Sequence, residues 1–148
     1  MQIINEVIDQ ISTSHNEKDP QLQKILIEEF DKLLDSMLSH TEDISAAIIS
    51  SVDGLAQAQK LDSDMDEQRF AAMSSALLAL SDNLADEGKK GRTDNVLIEG
   101  SNGKIFIMHA GPNYLLTVFT RDNANLGMSL AFAKQAIEQI EALLEIIE

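Results

Sequence analysis

Three histidines, one string of alternating acids and a few glycines are the residues whose chemistry would matter most here, and each pattern stops short of a site. His15, His40 and His109 fall in a polar stretch, at a helix end and in a strand. No spacing among them would bring two onto one metal, so they read as isolated side chains. Asp62-Ser63-Asp64-Met65-Asp66 begins like a calcium loop. Glu67, however, stands where such a loop needs glycine for its turn, and Met73 where it needs a bidentate glutamate. That stretch reads as a helix start rich in acids. No glycine-rich run carries the Lys-Ser/Thr ending of a phosphate-binding loop, and Gly54 and Gly127 are accounted for by a turn and a helix start. The expectation is therefore no cofactor, no metal, no catalytic residue and no enzymatic activity of its own.

Composition narrows the partners. The chain has 148 residues, no cysteine and a formal net charge of −14. One domain is expected at this length, because about 68–70% of the unfolded surface can be hidden around one core. The absence of thiols removes sulfur nucleophiles and ligands and fits a reducing compartment. An acidic chain repels nucleic-acid phosphates and anionic lipid heads, which leaves basic protein surfaces as the better partners. The start of the chain lacks the basic and apolar regions of a signal peptide, and no apolar run approaches the roughly 20 residues of a spanning helix. A soluble, cytoplasmic protein without direct membrane insertion is expected.

The elements that must position any interaction surface follow from periodicity. Ile3, Ile4, Val7, Ile8 and Ile11 sit at helical spacing ahead of the polar run Ser12-Thr13-Ser14-His15-Asn16, so residues 1–19 read as an amphipathic helix on a tether. Asp19-Pro20 then suits a helix cap and first turn, and the stripe from Leu22 through Phe30 to Leu38 makes the first helix of the domain, 20–148. Two strands flank Asp53-Gly54, a hairpin signal. Ser63-x-x-Asp66 resembles a capping box for a second helix, with Phe70, Met73, Leu77, Leu80 and Leu84 as its apolar stripe and Gly88 as its stop. Strands are expected at 95–99, 104–110 and 114–120, turning at Asn102-Gly103 and Gly111-Pro112-Asn113. Asn125 should cap a last helix. The fold class is thus α/β of the α+β kind: a mostly antiparallel five-stranded sheet between helices, in the order α–ββ–α–βββ–α, with an extra N-terminal helix.

That sheet already implies pairing. Apolar residues occupy both alternating sets in 105–108 and 114–119, so both faces must be covered by helices. An open sheet has two edges, and Val96-Leu97-Ile98 is short, apolar and uncharged. An edge of that kind aggregates or finds a partner strand.

These elements, with several local phrases, resemble the roadblock/dynein light chain family and its profilin-like fold. The phrases are Ile48-Ile49-Ser50-Ser51-Val52-Asp53-Gly54-Leu55-Ala56, the alanine-rich helix 70–80, the strand and hairpin 96–105, and Asn125-Leu126-Gly127. The match runs from about Leu22 to the end. The resemblance implies a sheet lying between the second helix and the first and last helices. It also implies a homodimer that joins the third strands and sets the second helices side by side. Members of the family serve in motor complexes, as scaffolds for Ras-like GTPases, or as bacterial activators of such GTPases.

On this basis Ala72, Ser75, Ala76, Ala79, Asn95, Val96, Leu97, Ile98 and Glu99 are the expected dimer interface. The small residues would let the helices approach closely, although alanines are also plain helix formers on a half-buried face. The expected partners are a second copy and a small Ras-like GTPase. Ile4, Val7, Ile8 and Ile11 are candidate partner contacts, as are the cations Arg69, Lys89, Lys90 and Arg92. The bland reading of Lys89-Lys90-Gly91-Arg92 is a solvated connection. Arg69, Arg92 and Arg121 are the only arginines; an inserted arginine finger is worth about 10³–10⁵ in rate, but nothing local marks one of them for it. The other function class is a purely structural adaptor with no effect on catalysis, in which the N-terminal helix docks partners.

Overall fold

The computed structural model describes residues 19–147; the helix and tether expected at 1–19 therefore lie outside it but for the last residue. The observed elements are α1 (Pro20–His40), β1 (Ile44–Ser51), β2 (Ala56–Lys60), α2 (Glu67–Glu87), β3 (Val96–Gly100), β4 (Gly103–His109), β5 (Tyr114–Thr120) and α3 (Leu126–Ile147). Their order is the one expected.

Local chemistry explains the ends. Asp19 Oδ1 accepts the Gln21 N–H at 2.8 Å, and Pro20 in the first turn has no N–H to leave unpaired. Asn125 Oδ1 accepts from Met128 N at 2.9 Å and so starts α3. For α2 the cap differs from the expectation. Asp66 itself accepts from Gln68 N and Arg69 N at 3.1 and 3.3 Å, and Ser63 lies in the turn before it. A carboxylate one residue before the helix satisfies two free N–H groups at once, and its charge suits the positive end of the helix.

At the other end of α2, Lys90 N bonds Ala85 O at 2.8 Å and Lys89 N bonds Asp86 O at 3.0 Å. This is a Schellman closure whose left-handed residue is Lys89, at φ 58°, while Gly88 stays at φ −76°. A side chain in the left-handed region costs about 1 kcal/mol. Lys89→Gly should therefore raise stability by about 1 kcal/mol, read as a higher urea midpoint at unchanged slope; a lower midpoint would contradict this account of the cap.

The sheet is antiparallel throughout, in the order β2-β1-β5-β4-β3. Its first hairpin closes with Ser51 N on Leu55 O at 2.9 Å and only Gly54 at positive φ (87°). That makes a three-residue connection in place of the tight two-residue turn. The face carrying Ile49, Phe106, Met108, Leu116 and Val118 packs under α1 and α3, and Phe30 meets the Tyr114 ring edge-on at 5.2 Å. The opposite face, with Ile48, Ile107, Leu115 and Phe119, packs under α2. This is the layering that the family resemblance implies.

Candidate functional site

Among the described residues only α2 covers its face of the sheet, and the way it sits decides what remains outside. Its inward line is Ala71, Ser74 and Leu78, all buried. Thr117 donates to Ser74 Oγ at 2.9 Å across that contact. Small inward residues let the helix lie close to the strands. Phe70 and Leu77 flank this line: Phe70 meets Phe119 edge-on at 5.2 Å, and Leu77 packs beside Val96 of β3 on Leu78, Ile107 and Leu115. The rest of the expected stripe points out, with Met73, Leu80 and Leu84 exposed at 52, 65 and 72%. These three large side chains, separated by two turns and then by one, form an uncovered apolar line.

Beside that line lies an open strand edge. Among the described residues β3 pairs with β4 alone, from Val96 opposite Ile107 to Gly100 opposite Gly103. Alternate N–H and C=O groups along its outer side have no partner strand there. Ile98, like Val96, is on the α2 face because its pair Ile105 packs there; Leu97, opposite Phe106, is on the other. Ile98 and Leu97 are 40 and 38% exposed. Helix line and strand edge therefore form one apolar corner of the molecule.

The other edge is guarded. Lys60 Nζ of β2 meets Asp31 Oδ1 at 2.9 Å and Asp35 Oδ1 at 3.2 Å, pinning that strand to α1. An ion pair at an edge strand discourages added strands. The hydrogen bond to Asp31, with that to Asp35 and the attraction of both carboxylates, outweighs desolvation and raises the Lys60 pKa above its ordinary value. With Asp31 and Asp35 ionised, the stability that Lys60 contributes is fully present below the unfolded lysine range and is lost as pH rises through the folded value.

The expected interface residues divide. Ala72, Ala76 and Ala79 are exposed on the flank of α2 next to the apolar line. Ser75 is half-buried and its hydroxyl donates to Val52 C=O of its own first hairpin. Asn95, directly before β3, is half-buried; Glu99, at the free edge, is exposed. The basic candidates do not converge. Arg69 is in the first turn of α2, and Lys89, Lys90 and Arg92 lie beyond its last, so roughly 30 Å of helix separates them. Ile4, Val7, Ile8 and Ile11 are outside the described residues.

Two of the histidines, read as isolated from one another, each have a hydrogen-bond partner. His109 Nε2 lies 2.8 Å from Asp82 Oδ2, joining β4 to α2, and His40 Nδ1 lies 2.6 Å from Ser36 O. No spacing rule links Asp82 to His109, since 27 residues separate them. Among the described residues no group of three or more His, Cys, Asp or Glu converges to hold a metal ion, and no helix there is long and apolar enough to cross a membrane.

Comparison with known proteins agrees with this architecture. The Roadblock/LC7 domain model matches residues 30–120. The uncharacterized protein MJ1340 of Methanocaldococcus jannaschii is 33% identical over 106 residues, covering 72% of this chain and 92% of that protein. Myxococcus xanthus MglB superposes with a TM-score of 0.77 at 15% identity, covering 82% of this chain and 92% of that one. Acanthamoeba castellanii profilin IA shares the fold at a TM-score of 0.59 and 10% identity, covering 76% of this chain and 97% of that one. The five strands, their order and the matched residues 30–120 together place the chain in the Roadblock/LC7 domain family.

Proposed function

We propose that the protein is a homodimeric, non-enzymatic regulator that docks a small Ras-like GTPase and alters its GTP hydrolysis. The observation that carries this reading is the apolar corner formed by Met73, Leu80 and Leu84 beside the open edge of β3. Large aliphatics left outside next to an unpaired strand mark a surface meant to be covered. A second copy covers it by symmetry, with β3 beside β3 and α2 beside α2. The flanking residues Ala72, Ala76 and Ala79 then line the seam, and Arg69 and the cluster Lys89, Lys90 and Arg92 frame its ends. The Ras-like partner comes from what the family resemblance implies for such a platform.

The test is phosphate release by a candidate small GTPase, such as one encoded beside this protein, with and without the purified dimer. At least a tenfold change in the hydrolysis rate is expected, and it should saturate with dimer concentration. Saturable binding without a rate change would make the protein a structural adaptor; neither binding nor rate change with any candidate would remove the GTPase reading.

A further inference from the structure

On the face opposite the platform, the start of α1 leaves a groove that the described residues do not fill. Its volume is about 530 Å³. It is lined by Leu22 and Leu26 of α1, which are buried at its floor (5 and 2% exposed), by Val52 of the first hairpin, and by Tyr114 and Ile147. Val52 is held in place by its N–H on Asn113 O at 3.0 Å, yet its side chain is 38% exposed. The groove is therefore a fixed, partly apolar trough and not a gap between loose loops.

We infer that its occupant is the chain's own N-terminal segment, with the apolar set Ile4, Val7, Ile8 and Ile11 laid between Leu22 and Val52 of the same molecule. Residues 1–18 join the described chain at Asp19, three positions before Leu22 at the groove floor. Residues 12–18 between Ile11 and Asp19 span up to roughly 23–25 Å when extended, ample for a return onto the first turns of α1. A tether this short holds the segment at an effective concentration on the order of millimolar, far above that of any separate partner. The pattern also fits: Ile4, Val7, Ile8 and Ile11 repeat by threes and fours, giving one apolar side to lay on the apolar part of the trough, with Gln23, Asp53 and Gln57 at its polar margin. The contact bears on the platform, because the hairpin that forms the groove wall also accepts the Ser75 hydroxyl of α2 at Val52 C=O.

The absence of cysteine allows a direct test in the full chain. Val52→Cys is combined in turn with Ile4→Cys, Ile8→Cys and Ile11→Cys, and disulfide formation under mild oxidation is compared with Ile8→Cys/Met128→Cys. Met128 is exposed at the far end of α3, roughly 29 Å along that helix from Ile147. At least one Val52 pair should close within a single chain ten or more times faster than the Met128 control. In parallel, Ile4→Asp/Ile8→Asp should speed iodoacetamide alkylation of Val52→Cys at least fivefold. Closure no faster than the control in all three pairs, disulfides that join two copies, or alkylation indifferent to the aspartates would overturn the assignment.

Discussion

Replacing Leu80 by aspartate should convert the protein from dimer to monomer at micromolar concentration. Leu80 is 65% exposed in the single chain, at the middle of α2. In an interface that repeats itself by two-fold symmetry, each substitution is felt twice. Burying a fully exposed leucine is worth about 1.5–3 kcal/mol; with 65% of each side chain left to cover, losing two removes about 2–4 kcal/mol before the cost of burying two carboxylates is added. Together these amount to roughly a thousandfold weaker association, at about 1.4 kcal/mol for each factor of ten. Met128→Asp is the control, since Met128 is 53% exposed at the start of α3 and away from α2. Sedimentation velocity of native protein, Leu80→Asp and Met128→Asp should give dimer, monomer and dimer. A native monomer, or a Leu80→Asp dimer as tight as the native one, would dismiss the platform.

The same residue shows where reading the sequence succeeded and where it could not. The spacing of Phe70, Met73, Leu77, Leu80 and Leu84 identified α2 correctly as an amphipathic helix. It did not say which way the helix is rotated on the sheet. The inward line is Ala71, Ser74 and Leu78, where close approach to Thr117 favours small residues and a hydroxyl. The bulkier line was free to face outward. Periodicity measures contrast around a helix, and here two apolar lines lie side by side, so the larger side chains concealed the inner one. The signal was present in Ala71, Ser74 and Leu78 themselves, spaced by three and four. Strand identities and the open β3 edge were legible because short apolar runs between turn residues leave few alternatives. The pairing of His109 with Asp82 was not, because it depends on where α2 crosses β4.

A second expectation follows from the turn beside the free edge. The sequence places the β3–β4 turn at Asn102-Gly103, but the structure uses Ser101-Asn102 and makes Gly103 the first residue of β4, opposite Gly100. Gly103 has φ +136°, and a Cβ added there would lie 2.5 Å from the backbone oxygen of Thr120. Neither atom can yield easily. The neighbouring Lys104 N–H is held at 2.9 Å by Thr120 Oγ1, which fixes the two strands against each other. Gly103→Ala must therefore combine a backbone angle hostile to side chains, about 1–3 kcal/mol, with an overpacked contact of about the same size. A loss of about 2–6 kcal/mol in unfolding free energy is expected, with a correspondingly lower urea midpoint. Because the strain falls on the hairpin that carries β3, the dimer should weaken along with the fold. Gly91→Ala is the comparison: Gly91 has φ +83°, but a Cβ there would meet nothing within 4 Å, so only the backbone cost applies and the loss should be smaller. Equal losses at the two positions would show that the Thr120 contact relaxes at no cost, and the close approach of β4 to β5 would then not be what requires glycine at 103.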